Sequence, residues 1–142
     1  MNTTGLVAEA KTYVSYLISA SDVPRIEFLI FGAGRSGSSL LVDLLNSHPS
    51  IRCEGEILHH RVLFPRRYVN CRASISQQQA YGFKLLSHQL RQVQSMRQPG
   101  LFLERLHDSG WQMIYLRRRN ILRRALSNLY ARHRGRFHNT TE

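Results

Sequence analysis

Residues 35–39, with the sequence RSGSS, combine a guanidinium group, three hydroxyls and a glycine within five positions. They follow the apolar run 28–31 and a Gly-Ala-Gly turn, and a second apolar run with helical spacing begins directly after them. A strand, a loop and a helix in this order direct backbone N–H groups and the positive end of the helix dipole at a ligand. The pattern therefore predicts a phosphate-binding loop.

A dinucleotide-binding motif overlaps this loop. Gly32, Gly34 and Gly37 form the pattern G-x-G-x-x-G, and Glu54 lies about 20 residues downstream, where such a fold has a ribose-binding acid. That fold also needs an apolar strand leading into the acid, and the segment SIRCE contains few apolar residues. A Rossmann-type dinucleotide-binding domain is therefore an alternative with a weak second strand.

The loop also approaches the Walker A motif of nucleotide triphosphatases, with four residues between Gly32 and Gly37. Walker A requires a lysine after the second glycine, and this chain has Ser38 there. The later apolar strand MIYL runs into Arg117 instead of the aspartate that would hold magnesium. Magnesium-dependent nucleotide hydrolysis lacks both of its main side chains.

An arginine and hydroxyl groups at a helix N-terminus can surround an anion without a metal. In this respect the loop resembles that of the sulfotransferase family, P-[KR]-S-G-[ST]-[ST], with Gly34 at the proline position. The resemblance implies that the chain takes 3′-phosphoadenylyl sulfate (PAPS) as sulfuryl donor and needs no metal. It implies that the 5′-phosphosulfate is bound by Arg35, Ser36, Gly37, Ser38 and Ser39, with Arg35 also contributing to catalysis.

A second segment resembles the family's R-x7-S motif, which binds the 3′-phosphate of the donor. It runs from Arg119 to Ser127, with Asn120 where family members often have aspartate. The resemblance implies that Arg119 and Ser127 hold this phosphate. The basic helix leaves an alternative, a non-catalytic nucleic-acid-binding module, in which the arginines would spread along one exposed face instead of converging on the loop.

The segment LLVDLLNSHPSIRCEGEIL is similar to the same region of tyrosylprotein sulfotransferases and of bacterial carbohydrate and Nod-factor sulfotransferases. In tyrosylprotein members a turn R-C-G-E-E follows, and its second glutamate is the catalytic base. The similarity assigns that role to Glu56. Glu54 is the rival, because Glu54 and Gly55 are inverted relative to the pattern, and either carboxylate could instead pair with Arg52 or Arg61.

Lys84 is a further candidate for catalysis. It lies in a G-x-K-L pattern that is similar to a strand of many bacterial members, and it is one of only two lysines in the chain. We expect it at the sheet end nearest the donor, where it would neutralise the transferring group; a lysine at a strand edge is the alternative. The seven histidines lack the spacing of a metal site, so we predict no metal.

Strand and helix patterns alternate along the chain and predict an α/β fold. The resemblance makes it a P-loop NTPase-like parallel sheet between two layers of helices. We predict a single domain over 1–142, with a donor-binding core over 25–131. The expected elements are an amphipathic helix 5–19 laid on the domain, strands 25–31, 81–86 and 112–116, a helix that follows the glycine loop and runs to about residue 46, helices 87–96, 100–106 and 120–132, and a basic tail 132–142. The segment 59–79 has no clear pattern.

The composition agrees with an anionic ligand. Lys11 and Lys84 are the only lysines among 20 basic residues, which face nine acids and give a net charge of +11. Arginine, the majority type, forks onto phosphate oxygens. Two cysteines are too few for a disulfide framework, and the sequence shows neither a leader pattern nor a membrane-spanning run. We expect a cytoplasmic protein that binds neither membrane nor nucleic acid.

The resemblance covers about residues 26–131, whereas family members generally continue well past this point. We therefore expect the sheet to be incomplete. The chain would then be a fragment, a truncated gene product, or a donor-binding half that needs a partner. The acceptor is predicted only as a hydroxyl-bearing molecule, since sugar, lipid, tyrosine and small alcohol all stay open, and the oligomeric state is not predicted.

Overall fold

Strands and helices alternate along the chain, as predicted. The computed structural model describes residues 3–19, 24 and 26–134. In chain order the elements are α1 (Thr3–Ile18), β1 (Ile26–Gly32), α2 (Ser38–Asn46), β2 (Ile51–Glu54), α3 (Pro65–Ile75), β3 (Ala80–Leu86), a π-helical turn (Gln89–Val93), α4 (Pro99–Asp108), β4 (Gln112–Leu116) and α5 (Ile121–Arg134). None of the helices in these ranges has the length and apolar character needed to cross a membrane.

The four strands form one parallel sheet in the order β2-β3-β1-β4. β1 and β3 pair over their full length, from Ile26 opposite Ala80 to Gly32 opposite Leu86. Because all the strands point the same way, their carboxyl ends meet at one edge of the sheet, and the glycine loop after β1 lies there too. Open α/β sheets bind ligands at this edge. The predicted α/β fold is confirmed.

The position of β2 bears on the alternative of a dinucleotide-binding fold. The segment judged too poor in apolar residues does form a strand, because the Asn46 side chain bonds both the N–H and the carbonyl of Cys53, each at 2.7 Å. The weak-strand objection to a dinucleotide fold is therefore wrong. The sheet order excludes that fold instead, since a dinucleotide fold places its second strand beside the first, and here β2 pairs with β3.

Helices cover both faces of the sheet and give three layers. Beneath α2, one core contains Phe28, Ile30, Val42, Cys53 and Ala80. A larger core on the opposite face includes residues of α3 and α4 and is centred on the fully buried Trp111, whose ring packs edge-on against Phe83 with centroids 5.4 Å apart. β4 forms an edge of the described sheet, and there Tyr115 is 68% exposed.

α1 forms as predicted, but its predicted packing face is wrong. The apolar residues between Leu6 and Ile18 recur at helical spacing, which predicts that this stripe faces the domain. Two of its members, Val7 and Ile18, are instead more than half exposed. Instead Glu9, only 3% exposed, accepts the backbone N–H groups of Leu63 at 2.7 Å and Phe64 at 3.0 Å, at the start of α3. A carboxylate at a helix N-terminus satisfies donors that the helix itself leaves unpaired. This contact, more than the apolar stripe, seats α1 on the domain.

Three other element predictions change. The unpatterned segment 59–79 contains α3, whose first turn begins with a proline. α3 is rich in arginine, and only part of its surface is buried. The helix predicted over 87–96 is a short turn that ends in the π-helical segment at Val93. α5 continues to Arg134, into the predicted basic tail. Residue 25 and the rest of that tail, 135–142, lie outside the described residues.

Candidate active site

Two glycines shape the loop between β1 and α2. A Cβ atom on Gly32 would lie 2.6 Å from the carbonyl oxygen of Leu116, so β1 and β4 approach each other closely where the loop begins. Gly37 has a φ of 93° and stands immediately before α2. Arg35 has a φ of 63°, a left-handed conformation that costs a non-glycine residue energy and is concentrated at functional sites. The connection is tight and strained.

The loop presents donors that an anion would satisfy. The first four N–H groups of an α-helix have no intrahelical acceptor, and in α2 they follow directly on the loop. Ser36 Oγ is buried and has no hydrogen-bond partner among the described residues. An unpartnered buried hydroxyl costs free energy that a ligand can recover. Ser38, at the start of α2, is also buried.

The loop is joined to α5, although 92 positions separate the two residues in contact. Arg35 Nε donates to Ser127 Oγ at 2.8 Å. From the turn after β4, Arg118 Nη1 donates to the carbonyl oxygen of Arg35 at 3.4 Å. The structure therefore brings together the two segments that the sequence assigns to the two ends of one donor. Sequence reasoning missed Arg118, because three arginines in a row carry no signal of which one faces the loop.

Arg119 lies beside this contact without taking part in it. Its side chain is exposed and makes no hydrogen bond or ion pair within the described part of the chain. The next residue has a structural role, since Asn120 Oδ1 accepts the N–H of Arg123 at 2.8 Å and caps α5. The segment from Arg119 to Ser127 was predicted to converge on the loop. Ser127 and the preceding Arg118 make the contacts with the loop, and Arg119 does not.

Lys84 lies in β3 opposite Ile30, two residues before Leu86 at the carboxyl end of that strand. β3 is flanked by β2 and β1, so Lys84 belongs to an inner strand of the described sheet. The side chain is buried; its Nζ donates to Ser39 Oγ at 3.1 Å and lies 2.8 Å from Glu56 Oε1. A buried ammonium group needs such anionic and polar partners. Lys84 therefore joins the loop, the central sheet and Glu56 in one cluster.

The Glu56 carboxylate is held on both oxygens. Oε1 faces Lys84, and Oε2 accepts a hydrogen bond from Gln89 Nε2 at 2.7 Å. Gln89 is 1% exposed and begins the π-helical turn after β3. Sequence reasoning missed Gln89, because a single glutamine after a strand belongs to no recognisable motif.

Glu54, the rival carboxylate, is paired with arginines instead. Arg72 on α3 donates to its Oε2 through Nη2 and, at 3.0 Å, through Nε. Arg52 Nε lies 3.4 Å from its Oε1, which is the pairing that the sequence offers as the structural alternative. The geometry places Glu56, and not Glu54, in the cluster with Lys84 and the loop.

A model of the sulfotransferase family matches residues 27–138, most of the chain. The chain belongs to the sulfotransferase family. The matched range begins within β1 and extends past α5, so it contains both the loop and the segment from Arg119 to Ser127. No curated protein and no solved structure matches the chain.

A cavity of about 890 Å³ opens beside the cluster of this sulfotransferase-family domain. Lys84 and Glu56 line it together with Arg72. Cys53 also lines the cavity; burial, and then the neighbouring Glu54 carboxylate, raises the pKa of its thiol to about 12, so the thiol stays protonated at neutral pH and is a poor nucleophile. The volume lies in the range of small-molecule sites.

Among the residues that the structure describes, no group of three or more His, Cys, Asp or Glu side chains is placed to hold a metal ion. His59 and His60 contact each other instead, with ring centroids 4.4 Å apart. Burial, and then the neighbouring His59, lowers the pKa of His60. That the reaction needs no metal stays a prediction.

Proposed function

We propose that this protein binds PAPS and transfers its sulfuryl group to a hydroxyl-bearing acceptor. The observation that carries the proposal is the hydrogen bond of 2.8 Å from Arg35 Nε to Ser127 Oγ. This bond joins the loop at residues 35–39 to the segment from Arg119 to Ser127. Together the two segments fit a ligand that carries phosphate groups at two separated positions. Family membership supports the same conclusion, because sulfotransferases generally use this donor.

The residues present fit the donor's phosphate groups. The start of α2 and the unpartnered hydroxyl of Ser36 supply neutral donors at the loop, and Arg35 supplies a cation. Ser127, with Arg118 and the exposed Arg119 nearby, would receive the 3′-phosphate. The 5′-phosphosulfate would lie against residues 35–39.

In this proposal Glu56 takes the proton of the acceptor hydroxyl as that oxygen attacks. The donor, when bound, supplies a sulfuryl group, so that one S–O bond forms to the acceptor as the S–O bond to the 5′-phosphate breaks. Lys84, already in contact with Ser39 and Glu56, stabilises negative charge beside the loop. The cavity next to Glu56 would admit the acceptor.

Donor binding is tested by calorimetric titration with 3′-phosphoadenosine 5′-phosphate, the product nucleotide. We expect Arg35→Ala to weaken binding by about tenfold or more, because a charged hydrogen-bond donor to phosphate contributes about 1.5 to 3 kcal/mol. The matched control is Arg105→Ala: Arg105 is exposed near the end of α4, which leads into the opposite, amino-terminal end of β4. Absence of binding by the folded wild-type protein would overturn the proposal.

The choice of base is tested with labelled PAPS and a panel of sugar, tyrosyl-peptide and alcohol acceptors. Glu56→Gln should bind the nucleotide normally but lower transfer by about 100-fold or more. Glu54→Gln should chiefly lower stability, since it removes the carboxylate that pairs with Arg72. Full transfer activity in Glu56→Gln would remove the base role from this residue.

The nucleic-acid-binding alternative makes a different prediction. It requires a single-stranded oligonucleotide to bind through α5, with an affinity that falls steeply with salt and does not depend on the loop. If Arg35→Ala left oligonucleotide affinity unchanged and the product nucleotide did not compete, the alternative would replace the sulfotransferase proposal.

A further inference from the structure

We propose that Gln89 is the positioning residue for the catalytic base: its side-chain amide fixes the Glu56 carboxylate in the orientation and charge state that proton removal needs. The inference rests on the proposed role of Glu56. Gln89 belongs to none of the sequence motifs that identify the site.

The amide of Gln89 uses both of its ends. Nε2 donates to Glu56 Oε2 at 2.7 Å. Oε1 accepts, at 3.0 Å, the backbone N–H of Leu86, which is the last residue of β3. The side chain is 1% exposed, so neither bond competes with bulk water. An amide anchored to the backbone at one end and to the carboxylate at the other holds Glu56 relative to the central sheet.

The backbone at this point is unusual in a way that serves the contact. Gln89–Val93 is π-helical, closed by the N–H of Gln94 donating to the carbonyl oxygen of Gln89 at 2.8 Å. π-Helical turns are rare and occur frequently at functional sites. The turn directly follows β3 at the carboxyl edge and points the Gln89 side chain back toward Leu86 and Glu56.

The chemistry explains why an amide suits this position. Lys84 already supplies a cation to Oε1, and a second cation on Oε2 would make the carboxylate a weaker base. A neutral N–H donor orients Oε2 without adding charge, and each carboxylate oxygen keeps a second lone pair that can accept a proton. Gln89 thereby complements Lys84.

The test is a ¹³C NMR titration of the glutamate carboxyl carbons, in which Glu56 is assigned by the signal lost in Glu56→Gln. It requires neither donor nor acceptor. In Gln89→Met, which is close in size and cannot hydrogen-bond, the Glu56 signal should titrate at higher pH, because a donor to the charged form is gone. In Gln89→Glu the shift should be larger, since two carboxyl groups then face each other and share a proton.

Gln94 supplies a matched control. It is also a buried glutamine, and its amide bonds the backbone carbonyls of Leu58 and His60 at 3.0 and 2.7 Å and the N–H of Val62 at 3.2 Å, whereas its side chain makes no described hydrogen bond to Glu56. Gln94→Met should lower stability yet leave the Glu56 titration unchanged. A residue with a purely structural role would behave like Gln94.

Activity gives a second readout. We expect about tenfold lower kcat in Gln89→Met with unchanged affinity for 3′-phosphoadenosine 5′-phosphate. In Gln89→Glu the rate relative to wild type should recover as pH falls, because a protonated Glu side chain at position 89 can again donate to Glu56. The Leu86 contact is available to that variant at every pH, so a structural role gives no such recovery.

The outcomes separate the two proposals. An unchanged Glu56 titration in folded Gln89→Glu overturns the positioning role, whatever the nucleotide titration gives; this variant also decides the question if Gln89→Met fails to fold. Failure of the wild-type protein to bind the product nucleotide overturns the sulfotransferase proposal, while the NMR titration still reports on the contact between Gln89 and Glu56.

Discussion

The two sides of the glycine loop are built in different ways. Toward β3, Lys84, Glu56 and Gln89 form a cluster that is largely buried and is anchored in a central strand. Toward β4 and α5, the loop is held by the half-buried Arg35, Ser127 and Arg118, next to the exposed Arg117 and Arg119. We call these the buried side and the exposed side of the site.

The difference indicates which functions each side can serve. Charges in a low-dielectric environment interact strongly and hold fixed positions, as the acceptor end of a transfer site requires. On the other side the neighbouring Arg117 and Arg119 are exposed, so salt screens their charges and their ion pairs are weak. The buried side is therefore suited to chemistry, and the exposed side to capture of an anionic ligand.

The largest effect is expected from Lys84→Met, on the buried side. The substitution leaves the partly buried Glu56 carboxylate without its cation, so we expect loss of transfer and a decrease of about 3 kcal/mol in the free energy of unfolding. Urea denaturation measures the second quantity. The control is Lys11→Met. Lys11 is the only other lysine of the chain and is exposed on α1, so this substitution should change stability by less than about 0.5 kcal/mol.

Ser127→Ala, on the exposed side, should behave in the opposite way. We expect about fivefold weaker binding of 3′-phosphoadenosine 5′-phosphate, corresponding to one lost hydrogen bond of about 1 kcal/mol, and a small change in stability. Ser109→Ala, at the end of α4 on the opposite edge of the sheet, should leave nucleotide affinity unchanged. A large loss of stability in Ser127→Ala would contradict the distinction between the sides.

A smaller effect is expected from Arg119→Ala. Arg119 is exposed and its side chain has no partner in the described part of the chain, so its contribution to nucleotide affinity should be about threefold at low salt. That contribution should disappear near 0.5 M salt, because exposed charges are screened. A loss that is equally large at both salt concentrations would mean that Arg119 closes onto the ligand and becomes part of a buried contact.

The smallest predicted effect is a pH dependence of stability from His60. Its pKa is lowered in the folded state by burial and then by His59, so the unfolded chain binds a proton more readily. Stability should therefore be complete above the ordinary value of 6.5 and fall as the pH drops below it. His60→Asn should flatten this dependence between pH 7 and pH 5 in denaturation curves, whereas His133→Asn, on the exposed face of α5, should not.

Much of the fold follows from local signals. The strand predicted over 112–116 coincides with β4, and α2 ends at Asn46 just before His48-Pro49, because a short apolar run and a proline both act within a few residues. α3 is hidden in the sequence for a complementary reason. Its buried residues alternate with arginine, asparagine and serine, and its apolar face becomes evident only where it packs against the sheet.

The sequence alone determined the family, and it predicted the loop at residues 35–39 as the phosphate site and Glu56 or Glu54 as the base. Only the tertiary structure decided that Glu56, not Glu54, meets Lys84, that Arg118 bonds the loop, and that Gln89 bonds Glu56. These contacts, together with that of Ser127 with Arg35, join residues 28 to 92 positions apart. Their existence depends on the order in which parallel strands assemble, and no periodicity along the chain encodes that order.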